Sequence, residues 1–352
     1  MEHATGALAG PTTRPPIAAR APPCQHGPMI SIGLVLGAGG VRGGAFHAGA
    51  LAALADVTGW DPRTADLIVG TSAGAHTAAT LRAGVSAADH LARATDQPLS
   101  DEGAAIVAPA PERLRLPDAA EAAGAPPWAY LPQAPWLIAP ATLRPGITRW
   151  GVAVAGLLPA GRLPTAPMGQ RVRAVQTGRW PEQPTWVVAY RTGDGRRAVF
   201  GRDDIDVPDL ATAVEASSAV PARFRPVRIG KGRYIDGAVF SPTNADLVAS
   251  LGFDLVIVSS AMTATPDAAD RGTGLGARAQ RWFGSLLARE VAAIEAAGTP
   301  VLTLQPDAAV LATIRADGDD HDLSPAVAAE AHRAILERLD DADVSPALTL
   351  LT

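Results

Sequence analysis

Cysteine is almost missing from this chain: Cys24 is the only one in 352 residues. No intrachain disulfide can form, so the fold does not depend on an oxidising compartment. Lysine is as scarce, with Lys231 alone, and arginine supplies the rest of the positive charge. Charged residues are 18% of the chain and the net charge is −5. No basic face of the kind a nucleic-acid binder carries is evident, and no nucleic-acid partner is expected. Long apolar runs are also lacking. The best candidate, residues 151–158, falls far short of the ~18 residues that a membrane-spanning helix needs. Residues 1–28 are rich in Pro and Ala and have no continuous apolar stretch, in front of Cys24 or elsewhere. They read as a disordered leader, or a start-site artefact ahead of Met29, and not as a secretory signal. The expected location is cytoplasmic, with contact to membranes at most peripheral.

What is present is apolar and small. Hydrophobic residues make up 47%, enough for one large core over residues 29–345. Short apolar runs alternate with helical spacing, which predicts a mostly parallel central sheet flanked by helices, an α/β fold. Strands are expected at residues 30–36, 66–69, 186–190, 233–239, 255–259 and 301–304. Helices are expected at 42–56, 72–83, 209–218, 277–297 and 324–339. The character changes between residues 97 and 184, where prolines are dense and Trp128, Trp136 and Trp150 occur among few charges. A stretch of this length is either a helical insert with its tryptophans buried or a lid facing lipid. No internal repeat is evident.

Gly70-Thr71-Ser72-Ala73-Gly74 has the form G-x-S-x-G and follows an apolar strand. A nucleophilic serine needs a tight strand-to-helix turn that exposes its hydroxyl, and small neighbours let the two segments approach. The helix that begins there directs its positive end at the site. Upstream lies Gly37-Ala38-Gly39-Gly40-Val41-Arg42-Gly43, again between a strand and a helix. As a dinucleotide fingerprint it fails by one residue, because Arg42 stands where the third glycine belongs. As an oxyanion hole it fits: consecutive glycines expose backbone N–H groups, and Arg42 adds positive charge. Asp236-Gly237-Ala238 follows a strand and places a carboxylate beside a flexible glycine, although Asp-Gly alone is a common turn.

The three elements in this order resemble the patatin-like phospholipase family, with its G-x-G-G-x-R-G loop, G-x-S-x-G elbow and distant D-G-[GA] motif. Ala216-Ser217-Ser218-Ala219-Val220-Pro221, followed by Phe224, resembles a fourth family segment. The resemblance spans about residues 30–260. It implies a three-layer patatin-like fold and a serine acyl hydrolase with a Ser72–Asp236 dyad. Gly39 and Gly40 would form the oxyanion hole. Gly37, Arg42 and Gly43 would shape that loop or touch a phosphate, and Gly70 and Gly74 would flank the nucleophile. It implies esters of phospholipids, lysophospholipids or acylglycerols as substrates, met at a membrane or micelle surface, with no cofactor and no metal. Ala38 departs from the glycine that many members carry, which puts some backbone freedom in doubt.

Two rivals have different signatures. An α/β-hydrolase triad needs a histidine after the serine and the acid, and only His321 and His332 come late enough. His321 sits in an acidic loop at 317–322 and His332 on a helical pattern. His47 and His76 read as packing residues. A patatin-like scaffold that binds or stores lipid without cleaving it would have lost its nucleophile, acid or glycine loop, and all three are intact.

Overall fold

A computed structural model describes residues 30–110, 124–137, 150–271, 273–316 and 324–352. The leader at 1–28, parts of the 97–184 segment and the acidic loop with His321 lie outside the described residues, as does the side chain of Trp150. Residues Ser31–Thr352 form one compact unit.

Eight strands form one sheet: β1 (Ile32–Leu36), β2 (Leu67–Thr71), β3 (Thr185–Arg191), β4 (Arg196–Phe200), β5 (Val227–Ile229), β6 (Gly232–Asp236), β7 (Leu255–Ser259) and β8 (Val301–Leu304). The helices are α1 (Gly40–Thr58), α2 (Ala73–Arg82), α3 (Ala87–Ala94), α4 (Asp101–Val107), α5 (Trp150–Leu157) and α6 (Ala166–Val175). They continue with α7 (Leu210–Ser217), α8 (Pro266–Arg271), α9 (Gly274–Ala296), α10 (Ala308–Ala316), α11 (Pro325–Leu339) and α12 (Ser345–Thr349).

The strands β3, β2, β1, β7 and β8 are neighbours in that order and all parallel. Parallel strands are buried on both faces, which is why they read as unbroken apolar runs. Alternate side chains serve opposite layers. Leu34, Leu36, Ile68 and Ile257 pack with Phe46, Leu51 and Leu54 of α1 and Ile335 of α11. Val35, Val69, Val256 and Val258 pack on the other face with Leu287 and Ile294 of α9. The expected α/β architecture is present, a sheet between two helical layers.

The antiparallel end of the sheet creates the site. β2 pairs with β3 up to Thr71 opposite Val188. β6 pairs antiparallel with β3 from Ala189 opposite Asp236 onward. β4 covers Val187 to Arg191, so β2 and β6 must share the other edge of β3. Their last residues therefore meet end to end on adjacent residues of β3. β6 is shorter than the stretch 233–239 expected for it. It stops at Asp236 because that carboxylate accepts a 2.8 Å hydrogen bond from the Ala238 N–H and bends the chain into the 3-10 turn Gly237–Val239. The end-to-end meeting also needs Gly237, since a Cβ there would lie 2.5 Å from the Val188 carbonyl.

Candidate active site

Ser72 stands between β2 and α2 with φ 53° and ψ −114°. A positive φ is unfavourable for a non-glycine residue and is the strained geometry of a nucleophile elbow. Two contacts hold it. The Ser72 N–H donates to the Ser217 hydroxyl at 2.8 Å, and that hydroxyl donates to the Val188 carbonyl at 2.6 Å. Thr71 accepts a 3.2 Å hydrogen bond from the Asn244 side-chain amide. Gly74 lets α2 leave the sheet: a Cβ there would stand 2.0 Å from the Leu36 carbonyl.

The Ser72 side chain lies close enough to the Asp236 carboxylate to favour its ionised form. Both side chains are buried, and Asp236 is 3% exposed. Burial pushes the Asp236 carboxyl up to about 7, against the Ala238 N–H and the nearby Ser72 side chain, which favour its ionised form. A carboxylate poised near neutrality beside a serine hydroxyl is suited to accept a proton.

The glycine loop reaches the same place from β1. The Gly37 N–H donates to Ser259 O at 2.9 Å, and the Ala38 N–H donates to Pro242 O at 2.8 Å. The Gly37 carbonyl accepts from the Gly74 N–H at 3.0 Å, which ties loop to elbow. His47 holds it too, with Nε2 2.7 Å from that carbonyl and Nδ1 2.7 Å from Ser259 Oγ. Burial lowers the His47 pKa to about 4. The ring is therefore neutral at pH 7, and Nε2–H must be the donor because a carbonyl only accepts. Gly43 packs under Gly39, whose Cβ would fall 2.7 Å from the Gly43 Cα. Gly40 has φ 62°. Ala38 sits at no positive φ, so its departure from glycine costs the loop nothing.

Gly39 and Gly40 head α1, and Ser72 and Ala73 head α2. All four line a cavity of about 410 Å³. Two helix N-termini, with the first N–H groups that no helical turn can satisfy, thus face one space beside the serine. The rest of the lining is largely apolar, including Val41, Val85, Met168, Val172 and Phe224, with Arg42, Arg93, Arg171 and Arg223 among it. Among the described residues of the lining there is no carboxylate.

The structure therefore brings together Ser72, Asp236, Gly39, Gly40 and Arg42, with Gly37, Gly43, Gly70 and Gly74 as the close-packed frame. His332 is elsewhere, its Nε2 bonded to Asp56 at 2.8 Å, and His321 lies outside the described residues. His47 is a packing residue as expected. His76 is not fully one: it follows Ser72 by one helical turn and so shares its face of α2, lines the cavity and lies 3.3 Å from Ser218 Oγ. Burial and the Arg171 charge lower its pKa to about 4. Sequence reasoning missed Ser217, Asn244 and Val188. Ser217 lay in a recognisable segment without a role, and nothing in the local sequence marks the other two.

The profile of the Patatin-like phospholipase family matches residues 34–249, more than half of the chain. The chain belongs to this family of lipid acyl hydrolases. No curated protein sequence matches it. Among solved structures, the crystal structure of VipD from Legionella pneumophila aligns with 89% of this chain and 67% of its own, at 15% identity and a TM-score of 0.41.

Proposed function

We propose that the protein is a serine acyl hydrolase that cleaves carboxylic esters of phospholipids, lysophospholipids or acylglycerols through an acyl-Ser72 intermediate. The observation that carries this reading is the strained Ser72 set beside the buried Asp236, where two helix N-termini meet an apolar cavity. Asp236 takes the Ser72 proton as Oγ attacks the ester carbonyl. The N–H groups of Gly39 and Gly40 receive the oxyanion, already aimed and without reorganisation. The leaving alcohol takes the proton from Asp236. A water then gives its proton to Asp236 and attacks the acyl-Ser72 carbonyl; as the C–O bond to Ser72 breaks, Asp236 returns that proton to Ser72 Oγ and the fatty acid is released. Every step uses groups of this chain, with no cofactor. Gly37 and Gly43 keep the loop closed, and Arg42 supplies positive charge beside the oxyanion or to a substrate phosphate.

A p-nitrophenyl acyl ester tests this directly. Wild type should release p-nitrophenol and Ser72→Ala should not. If the two proteins are equally inactive, the chain is a lipid-binding scaffold. Lipid-class profiling by mass spectrometry would then assign the natural ester.

A further inference from the structure

We propose that the protein docks on anionic lipid surfaces through one face, built from the basic residues of the stretch 223–233 and an apolar strip within 128–158. The proposal rests on the ester-hydrolase reading only in placing the cavity mouth at the lipid; the docking itself stands on the observations below.

The chain as a whole is acidic, at net charge −5, yet from Ala216 to Ile235 it carries five cations and no Asp or Glu. These are Arg223, Arg225, Arg228, Lys231 and Arg233. Among the described residues none of the five forms an ion pair, whereas Arg173, Arg197 and Arg338 are each matched to carboxylates. Arg228 stands exposed in β5, and Lys231 stands exposed in the tight turn between β5 and β6. A cluster of unmatched cations is unfavourable by itself and points to an anionic partner.

Beside it lies an apolar surface that stands exposed among the described residues. The α5 helix is apolar all round. It buries Val152, Ala153 and Ala155 but leaves Val154 55% exposed. A helix of that composition is normally enclosed. Leu131 is 60% and Trp136 52% exposed, and Trp128 and Leu157 are exposed as well. Clusters of this kind on a soluble protein mark an interaction site.

The two features are physically joined. Gln133 and Ala134 donate to the carbonyls of Leu158 and Gly156, both at 3.0 Å, which lays the 131–134 turn on the end of α5. The Ala222 N–H donates to Pro159 O at 2.9 Å, and the N–H groups of Arg162 and Leu163 donate to Arg223 O at 3.0 and 2.9 Å. The Arg233 guanidinium lies 5.8 Å from the Trp128 ring centre. Val220 and Arg223, at the start of the basic stretch, line the cavity that contains Ser72. Apolar side chains entering the headgroup boundary, with arginines at headgroup level, would bring the cavity mouth to the lipid. The aliphatic share of the face, in Leu131, Val154 and Leu157, favours lipid over a nucleic acid, which would call for stacking rings and cations only.

Sedimentation with vesicles tests this, using the full chain carrying Ser72→Ala so that binding is read without hydrolysis. The vesicles are phosphatidylcholine alone, or phosphatidylcholine with about one-third phosphatidylglycerol, compared at low and raised salt. The anionic vesicles should bind much more tightly, and salt should weaken them. Arg228→Glu with Lys231→Glu should weaken that binding by at least roughly 25-fold, about fivefold for each cation lost near the surface. Leu131→Ser with Leu157→Ser should weaken binding to both vesicles. All four positions are exposed, and an unchanged melting temperature confirms folding. Equal binding to the two vesicle types, or a charge-reversed protein that binds like its parent, would overturn the proposal. So would binding to a single-stranded nucleic acid or an acidic protein with none to vesicles. Ester cleavage by the Ser72 protein is read separately, so docking and catalysis fail independently.

Discussion

Replacing Asp236 by Asn should make the protein inactive and more stable at once. The carboxyl is buried, and burial raises its pKa from 3.8 to about 7. Ionisation is thus opposed by about three pKa units, or on the order of 4 kcal/mol at 1.36 kcal/mol per unit. The sign follows from linkage. Between pH 4 and 7 the folded state holds a proton that the unfolded state has lost, so this group's contribution to stability falls as pH rises through that window and is flat above it. The amide introduced by Asp236→Asn would be neutral at every pH, and its side-chain oxygen could still accept from the Ala238 N–H. At pH 8 the variant should therefore gain up to ~4 kcal/mol over wild type, roughly 5 °C in Tm for a chain of this size. Below pH 4 the gain should vanish, because the wild-type carboxyl is then protonated in both states. Turnover should meanwhile fall by ~10²–10⁴, since the proton acceptor is gone. Thermal melts from pH 4 to 8, paired with ester assays, give both quantities. A variant that is no more stable at pH 8 than at pH 4, relative to wild type, would refute the claim that burial poises this carboxyl.

Four further outcomes follow from the same geometry. The pH profile of kcat/KM should rise to a plateau above about pH 7 as Asp236 ionises, with no limb from His76, which protonates only near pH 4. Ser217→Ala should leave the Ser72 N–H and Val188 carbonyl without their shared partner, costing ~1–3 kcal/mol in denaturant melts and lowering turnover. His332→Ala should keep wild-type activity on a soluble ester; a collapse with folding intact would move the assignment to a histidine triad. Trp128→Ala and Trp136→Ala should weaken action on vesicles more than action on a short soluble ester, and an equal loss on both would make the strip mere packing.

Much of the fold was legible because its strands are buried on both faces. The runs at residues 255–259 and 301–304 match β7 and β8 without adjustment, and the Gly-x-Ser-x-Gly turn sits between strand and helix as its composition requires. What was not legible depends on tertiary contacts. β4 begins with two arginines and β5 has three residues, so neither shows a hydrophobic period. β6 ends early because a carboxylate bonds its own backbone two residues on. That Ser72 and Asp236 lie near each other in the fold was expected from a family pattern. Its cause, two strand ends abutting on Val188 and Ala189, could not be read from residues more than 160 positions apart. The tryptophans of the 97–184 segment show the same limit. Composition could not separate buried filling from surface, and exposure places Trp128 and Trp136 on the surface. The basic stretch was hidden by averaging, because a net charge of −5 conceals a local excess of arginine.

The central claim is that Ser72 is the nucleophile, and covalent capture tests it most directly. A fluorophosphonate probe should label the purified protein once, and peptide mass spectrometry should place the adduct on Ser72. Labelling should disappear in Ser72→Ala and fall sharply in Asp236→Asn. An adduct on any other residue, or labelling that survives in Ser72→Ala, would contradict the account.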